Sequence, residues 1–127
     1  MSDLKITYNT KLYSKWVNNT KGWGVFTNTS IKQNEIVETC ICILAHPDHQ
    51  NYSDFLFTAE GSGGAFLPFG FGSVYNHSFE ANLVWRVISV EKRLLQFVAA
   101  RDINADEELT HNYGTEYWNH RKHKQLL

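Results

Sequence analysis

The amino-acid sequence predicts a mostly β fold made of small sheets, with few short helices. Three observations lead to this fold class. The apolar segments are short and rich in β-branched and aromatic residues, polar or glycine-containing turns separate them, and helical periodicity is scarce. With 127 residues the chain is long enough for one modest core, so we expect a single domain over residues 1–127.

Six segments have the composition or the alternation of β-strands. In chain order they are LKITY (4–8), GVFT (24–27), EIVETCICIL (35–44), GAFLP (64–68), LVWRVI (83–88) and LLQFVAA (94–100). The last two flank SVEKR (89–93), a polar connection of hairpin length. The best candidate for a short helix is QNYSDFLFTAE (50–60), and EGSGG (60–64) is expected to form a flexible loop.

Two segments of the chain repeat one pattern. FTNTSIKQNEIV (26–37) and VAARDINADEEL (98–109) each contain a strand, a turn with Ile and Glu, and a second strand. The matched residues are Ile31 with Ile103 and Glu35 with Glu107. The match is either a coincidence or the sign of two similar strand-turn-strand units within one β fold.

The bulk composition excludes several classes of protein. Hydrophobic residues make up 43% and charged residues 20% of the chain, which is ordinary for a globular domain and argues against disorder. The formal net charge is -1, so no basic field attracts nucleic acid. No apolar run approaches the ~20 residues that cross a bilayer, so no membrane-spanning segment is expected. The segment MSDLKITYNT lacks the features of a signal peptide, so none is expected.

The two cysteines, Cys40 and Cys42, stand two residues apart in a predicted strand. Their side chains would point the same way and are poorly placed for a disulfide. No base neighbours them in the sequence, so a nucleophilic role is not expected. Free thiols are typical of a reducing compartment, which favours an intracellular location.

The segment KGWGVF (21–26) places Gly22 and Gly24 on either side of Trp23. Two glycines let a backbone approach a ligand closely while the large ring faces the site. The alternative is a tight turn with a packed tryptophan.

The segment YNHS (75–78) lies among apolar residues and is open to several interpretations. Asn76, His77 and backbone groups suit a heteroaromatic ligand, because an amide both donates and accepts hydrogen bonds. A buried turn satisfied by its own side chains explains the pattern equally well. Metal binding fits poorly, because the histidines at 46, 49, 77, 111, 120 and 123 come without a nearby third and fourth ligand.

The segment EELTHNYGTEYW (107–118) ends a predicted strand at His111-Asn112-Tyr113-Gly114. A tyrosine before a glycine at a strand end can aim its hydroxyl into a cleft. The alternative is a core tyrosine followed by an amphipathic tail.

Taken in order, GWGVF, NHS, a hairpin and FVAARDINADEELTHNYG resemble the SET domain of protein lysine methyltransferases. The chain is most similar to the small stand-alone viral SET proteins of the chlorella virus type, which also carry a segment like DFLF and a closing YW. The resemblance runs from about residue 21 to 118 and leaves a short tail at 119–127. It implies β-clip-like small sheets with a C-terminal pseudoknot, in which NHS and LTHNYG form adjoining strands.

The resemblance also implies a cofactor, S-adenosylmethionine, with S-adenosylhomocysteine as its product and no metal. Gly22, Trp23 and Gly24 would surround the methionine part, Asn76 and His77 would bind the amino group and the adenine, and Tyr113 would lie near the transferred methyl group as the catalytic residue. The walls of the substrate lysine channel would come from Phe55, Phe57, His111, Tyr117 and Trp118, with Trp23 a further candidate.

The implied function is protein lysine N-methylation, with a basic protein tail such as that of histone H3 as the substrate class. The alternative is a weak or inactive SET module that binds the cofactor or a protein tail. A homodimer is implied by the same resemblance, and the location is the cytoplasm, or the host nucleus for a viral protein. Two departures from the family bear on activity: Phe79-Glu80-Ala81 follows NHS, and His111 stands where Phe or Tyr is usual.

Overall fold

The computed structural model describes residues 5–45 and 55–113. This part of the chain forms nine β-strands. They are β1 (Leu12–Asn18), β2 (Gly22–Thr27), β3 (Ile36–Ala45), β4 (Phe57–Ala59), β5 (Gly64–Pro68), β6 (Asn76–His77), β7 (Leu83–Ser89), β8 (Leu94–Ala99) and β9 (Glu108–His111). The predicted mostly β fold class is confirmed.

The strands follow one another laterally in the order β1-β2-β9-β7-β8-β3-β5-β4, and β6 pairs with β9 outside this path. Hairpins such as β1–β2, β4–β5 and β7–β8 are antiparallel. β9 is different, because it runs antiparallel to β2 and parallel to both β6 and β7. Strand β9 therefore joins the β1–β2 hairpin to the rest of the molecule.

The parallel contact of β6 and β9 pairs Asn76 with Thr110 and His77 with His111. The expectation that the NHS and LTHNYG segments form adjoining strands is therefore confirmed. The threading of the chain tail through a loop involves residues 114–127, which lie outside the described residues.

Most predicted strands are present within a residue or two at each end. GVFT lies in β2, EIVETCICIL and GAFLP coincide with β3 and β5, and LVWRVI and LLQFVAA form the β7–β8 hairpin across the turn at 90–93. The glycine-rich segment at 60–64 forms the turn between β4 and β5.

Two predictions of secondary structure are wrong. Residues 5–8 of LKITY form no strand, although Asn9 Nδ2 donates to the carbonyl of Val37 at 2.7 Å and ties this segment to β3. The helix predicted over 50–60 is contradicted at 57–59, where β4 buries Phe57 and Ala59 and exposes Thr58. Its beginning, at 50–54, lies outside the described residues.

The core lies between the inward faces of these strands. Val25, Phe66, Leu95, Phe97 and Leu109 have no exposed surface. They come from β2, β5, β8 and β9, so strands distant in sequence meet in one cluster.

The repeated sequence pattern corresponds to repeated structure. Ile31 and Ile103 are both 1% exposed and form an antiparallel bridge with two reciprocal backbone hydrogen bonds of 2.8 Å. Three residues after each isoleucine the backbone is left-handed, with φ of 71° at Asn34 and 66° at Asp106. These are residue types that tolerate this conformation.

The glutamates of the two repeats also form equivalent hydrogen bonds. The backbone N–H of Lys32 donates to Glu35 Oε1 at 3.3 Å, and that of Asn104 donates to Glu107 Oε1 at 3.1 Å. Each glutamate N–H returns a bond to the carbonyl of the same partner residue. Two equivalent turns therefore face each other across the Ile31–Ile103 bridge.

Candidate functional site

A cavity of about 130 Å³ lies at the C-terminal end of β9. Its wall contains these residues: Phe55, Leu56, Phe57, Thr58, Gly72, Ser73, Tyr75, Trp85, His111, Asn112 and Tyr113. Four residues that the resemblance implicated are thereby brought together: Phe55, Phe57, His111 and Tyr113. Trp23, the further candidate, does not line this cavity, and Tyr117 and Trp118 lie outside the described residues.

Tyr113 follows β9 and is anchored to the segment that contains β6. Its hydroxyl donates to the backbone carbonyl of Tyr75 at 2.9 Å, and its backbone N–H donates to His77 Nδ1 at 3.0 Å. Its ring lies 4.7 Å from that of His111, measured between centroids. These contacts fix the tyrosine at the cavity wall.

His77 is 5% exposed and uses Nδ1 as an acceptor. A neutral imidazole that accepts at Nδ1 carries its proton on Nε2. Burial lowers the pKa of His77, which favours this neutral form. The geometry therefore suits a positioning residue.

His111 is 6% exposed and packs among aromatic rings of the cavity and core. Its ring centroid lies 5.3 Å from Phe57 and 5.7 Å from Phe97. Burial in these surroundings lowers the pKa of His111 to about 4. Its Nδ1 atom has no hydrogen-bond partner among the described residues. The cavity thus contains an uncharged imidazole at neutral pH.

A second group of polar atoms surrounds the backbone of Gly24. A Cβ atom at Gly24 would lie 2.6 Å from Glu108 Oε2 and 3.2 Å from Asn76 Nδ2, so only glycine fits there without movement. Asn76 Nδ2 donates to the carbonyl of Trp23 at 3.2 Å. The Trp23 side chain is 56% exposed and meets the Trp16 ring edge-on.

Glu108 belongs to this second group. Its Oε2 accepts from Asn76 Nδ2 at 2.8 Å, and its Oε1 lies 3.8 Å from Lys21 Nζ. The predicted cofactor residues Trp23, Gly24 and Asn76 therefore meet around a carboxylate and an ammonium group, and Gly22 lies next to them in β2. We call this group, with Lys21 and Glu108, the polar cradle.

The cavity and the polar cradle lie on opposite faces of the β6–β9 ladder. Successive side chains of a strand point to opposite faces. In β9, Glu108 points to the cradle and His111 to the cavity; in β6, Asn76 contacts the cradle and His77 contacts Tyr113. Two binding surfaces thus share one short pair of parallel strands.

Asn82 fixes the position of β9 from β7. It is 1% exposed, and its Nδ2 donates to the carbonyl of Glu108 at 2.8 Å and to Glu107 Oε2 at 3.1 Å. Its Oδ1 accepts the backbone N–H of Thr110 at 2.9 Å. Asn82 directly follows Phe79-Glu80-Ala81, and it holds the strand that carries both surfaces.

Sequence reasoning assigned no role to several residues of the site, among them Tyr75, Trp85 and Glu108. Tyr75 and Trp85 line the cavity, and Glu108 belongs to the polar cradle. In the sequence, Tyr75 stands out only as the residue at the apolar position before Asn76-His77. Trp85 has the inward parity of a strand residue and is partly buried against the core. Neither signal distinguishes a cavity wall from ordinary packing.

The two thiols do not form a reactive group. Burial raises the pKa of Cys42 to about 12, and burial with the nearby Glu38 carboxylate raises that of Cys40 further. Within residues 5–45 and 55–113, no three His, Cys, Asp or Glu side chains group closely enough to hold a metal ion. In the same ranges no helix is long and apolar enough to span a membrane.

The fold agrees with a comparison to known families. The model of the SET domain family matches residues 22–114, so the chain belongs to the SET domain family. This range contains the cavity and all of the polar cradle except Lys21.

Individual known proteins are also similar to this chain. The histone-lysine N-methyltransferase of Schizosaccharomyces pombe that is specific for H3 lysine-37 is 24% identical over 104 residues, which cover 77% of this chain and 70% of the relative. The crystal structure of a Plasmodium falciparum protein described as a candidate histone methyltransferase superposes with a TM-score of 0.73. It is 29% identical and covers 87% of this chain and 99% of its own.

A more distant structure shares the fold. The Chaetomium thermophilum Polycomb Repressive Complex 2, in an autoinhibited conformation bound to S-adenosylmethionine, superposes with a TM-score of 0.67 at 22% identity. The match covers 88% of this chain and 17% of that one.

Proposed function

We propose that this protein is an S-adenosylmethionine-dependent protein lysine N-methyltransferase. The observation that carries the proposal is the placement of an aromatic cavity and a polar cradle on opposite faces of the β6–β9 ladder. In-line transfer requires the sulfonium methyl group and the lysine amine to meet at the end of this ladder, beside Tyr113. Alignment of this kind supplies much of the acceleration of a group transfer.

The polar cradle has the chemistry needed for the amino-acid end of the cofactor. Glu108 and the Trp23 carbonyl suit an ammonium group, and Lys21 and Asn76 suit a carboxylate. Gly24 keeps open the space that a Cβ atom would fill. The cofactor, when bound, supplies an electrophilic methyl group on a sulfonium.

The cavity suits the side chain of lysine. A lysine amine has an unperturbed pKa of ~10.4 and must lose a proton before it becomes a nucleophile. The walls of Phe55, Phe57 and Trp85 disfavour the charged amine by desolvation, and their π faces stabilise the positive charge that develops on the nitrogen as it takes the methyl group. His111 is neutral, so it adds no positive charge that would repel the substrate.

Tyr113 orients the reacting groups in this proposal. Its hydroxyl proton points at the Tyr75 carbonyl, which leaves the hydroxyl oxygen to face the cavity as an acceptor. An oxygen in that position stabilises an amine or a methyl group that carries developing positive charge. The amine loses its proton to water before it enters the cavity.

The proposed substrate is a basic protein tail, with histone H3 as the first protein to test. The names of the yeast and Plasmodium relatives support histones as the substrate class. An intracellular location is supported by the buried free thiols of Cys40 and Cys42. A homodimer, in which a second copy completes the channel, stays part of the proposal.

One observation favours the second candidate, an inactive SET module. His111 replaces a phenyl ring in the cavity wall with an imidazole whose Nδ1 has no hydrogen-bond partner within the described part of the chain. This polar atom makes the cavity wall less apolar for an incoming amine. Such a module would bind the cofactor in the polar cradle without transferring the methyl group.

The experiment combines labelled S-adenosylmethionine with core histones and measures transfer by wild type, Tyr113→Phe and Tyr13→Phe. Tyr13 is the matched control, because its hydroxyl bonds Asp106 at the surface, away from both binding surfaces. We expect Tyr113→Phe to lose at least ~10-fold in kcat and Tyr13→Phe to keep it. Cofactor binding without transfer to any protein would establish the inactive module instead, and mass spectrometry of the product gives the modified lysine and its methyl count.

A further inference from the structure

Glu38 is a carboxylate on the buried face of β3, which it shares with Cys40 and Cys42. It is only 8% exposed, and no cation of the described ranges forms a salt bridge with it. A carboxylate in such a place is costly unless hydrogen bonds compensate it. Its two oxygen atoms therefore require hydrogen-bond donors.

Both oxygens of Glu38 hold the turn that runs from 71 to 75. Oε2 accepts the backbone N–H of Phe71 at 2.9 Å, and Oε1 accepts the Tyr75 hydroxyl at 2.6 Å. The turn is also closed by backbone bonds from Val74 and Tyr75 to the Phe71 carbonyl. One carboxylate thus fixes the first and the last residue of the turn.

The backbone beside Glu38 is shaped for this close contact. Gly70 has a φ of 73°, and a Cβ atom on it would collide with Glu38 Oε2. A Cβ atom on Gly72 would lie 2.6 Å from Pro68 Cβ and 3.0 Å from Cys40 Sγ. The run FGFG therefore allows the turn to lie directly on β3.

The turn in its place forms part of the proposed active site. Gly72, Ser73 and Tyr75 line the cavity. The Tyr75 carbonyl accepts the hydroxyl of Tyr113 at 2.9 Å. The Tyr75 ring is 1% exposed and packs on Phe97 at 4.6 Å between centroids, so the residue has little freedom once its hydroxyl is bound.

We infer that Glu38 is a positioning residue for methyl transfer, which acts through Tyr75 on the hydroxyl of Tyr113. The inference rests on the proposed function. Glu38 fixes the turn, the turn fixes the Tyr75 carbonyl, and that carbonyl orients the Tyr113 hydroxyl. Glu38 makes no contact with the polar cradle, so its effect falls on turnover and leaves cofactor affinity unchanged.

The test compares Glu38→Leu, Glu38→Gln and Tyr75→Phe, with Glu91→Leu at an exposed position as the matched control. Leucine removes both acceptors. Glutamine keeps one acceptor for the Phe71 N–H and offers an N–H to the Tyr75 hydroxyl. Phenylalanine keeps the Tyr75 ring and carbonyl and removes only its hydroxyl.

We expect kcat per folded molecule to fall at least ~10-fold in Glu38→Leu and several-fold in Tyr75→Phe, with the dissociation constant of S-adenosylhomocysteine within about twofold of wild type. Glu38→Gln should recover most of kcat. Folded protein is counted by calorimetric titration with S-adenosylhomocysteine, so a loss of stability alone does not change the result. If Glu38→Leu does not fold, Tyr75→Phe decides.

An unchanged kcat in folded Glu38→Leu, or in Tyr75→Phe, would overturn the positioning role and leave Glu38 as an anchor of the turn. A parallel loss of cofactor affinity would overturn it as well. If the wild type transfers no methyl group to any protein, the proposed function itself fails and this inference fails with it. The wild-type reaction thus separates the two failures.

Discussion

At the scale of single residues, His111 is a buried histidine whose surroundings lower its pKa. Its pKa is about 4 in the folded chain, against ~6.5 in an unfolded one. The unfolded chain therefore takes up a proton as the pH falls below ~6.5, while the folded chain does so only near pH 4. Stability is fully present above pH 6.5 and is lost as the pH falls through this window.

We predict that the free energy of unfolding falls by about 2 kcal/mol between pH 7.5 and pH 5 because of His111. Urea unfolding at the two pH values measures the change. His111→Phe removes the titrating group, so the pH dependence of this variant should be smaller by that amount. The same slope in both proteins would mean that His111 does not titrate as an isolated buried imidazole.

Asn76 and Trp23 differ in what their side chains contribute to the polar cradle. The Asn76 amide is buried and bonds the Trp23 carbonyl and Glu108, whereas the Trp23 ring is more than half exposed. We predict that Asn76→Ala weakens binding of S-adenosylhomocysteine by about 10- to 100-fold. Trp23→Phe keeps the backbone carbonyl and a ring, so it should weaken binding less. Equal affinities of the two variants in calorimetric titration would contradict the assignment.

The residues of the site differ in how far the sequence reveals them. Gly24, Asn76 and Tyr113 stand in short motifs, so a local pattern of the sequence reveals them. Glu108 and Tyr75 act through contacts to residues 32 and 38 positions away. Such contacts depend on the register of β6 against β9, which no local pattern specifies.

At the scale of elements, Asn82 links β7 to β9 and so supports both binding surfaces. Removal of its side chain would leave the buried N–H of Thr110 and the carbonyl of Glu108 without their partners. An unsatisfied buried group costs about 1–3 kcal/mol. Asn82 keeps this connection although Phe79, Glu80 and Ala81 before it depart from the family pattern.

We predict that Asn82→Ala lowers the free energy of unfolding by about 3 kcal/mol. The exposed Asn28, which has no side-chain hydrogen bond among those described, is the matched control, and Asn28→Ala should stay within ~0.5 kcal/mol of wild type. Urea unfolding at neutral pH measures both. A loss below about 1 kcal/mol in Asn82→Ala would show that β9 is held mainly by its backbone pairing.

The strands were predictable where burial and turn signals agree. The β7–β8 hairpin and β5 combine β-formers with clear turns, and their bounds match closely. β1 was not predicted because its middle is polar and exposed, and only its pairing with β2 makes it a strand. LKITY has the right alternation and no partner strand within the described residues, which shows that a strand requires its neighbour.

At the scale of the whole molecule, strand β9 joins two parts of the fold. It lies between β2 and β7 in the sheet order, and β6 pairs with it as well. The second of the two repeated turns, with Asp106, leads directly into it, and the Ile31–Ile103 bridge joins this turn to its counterpart. A ligand that binds to the β6–β9 ladder is therefore expected to stabilise contacts throughout the domain.

This connection leads to a prediction for the complete domain. A ligand present at 100 times its dissociation constant and bound only by the folded state adds ~2.7 kcal/mol of stability. For a domain of this size, that corresponds to a rise of about 10 °C in Tm. We expect S-adenosylhomocysteine to give this rise in wild type and a smaller one, at the same concentration, in Asn76→Ala. A single cooperative transition should move as a whole, because β9 belongs to both parts of the sheet. No rise in wild type would contradict the cofactor site, and a shift of only part of the transition would show that the two parts unfold separately.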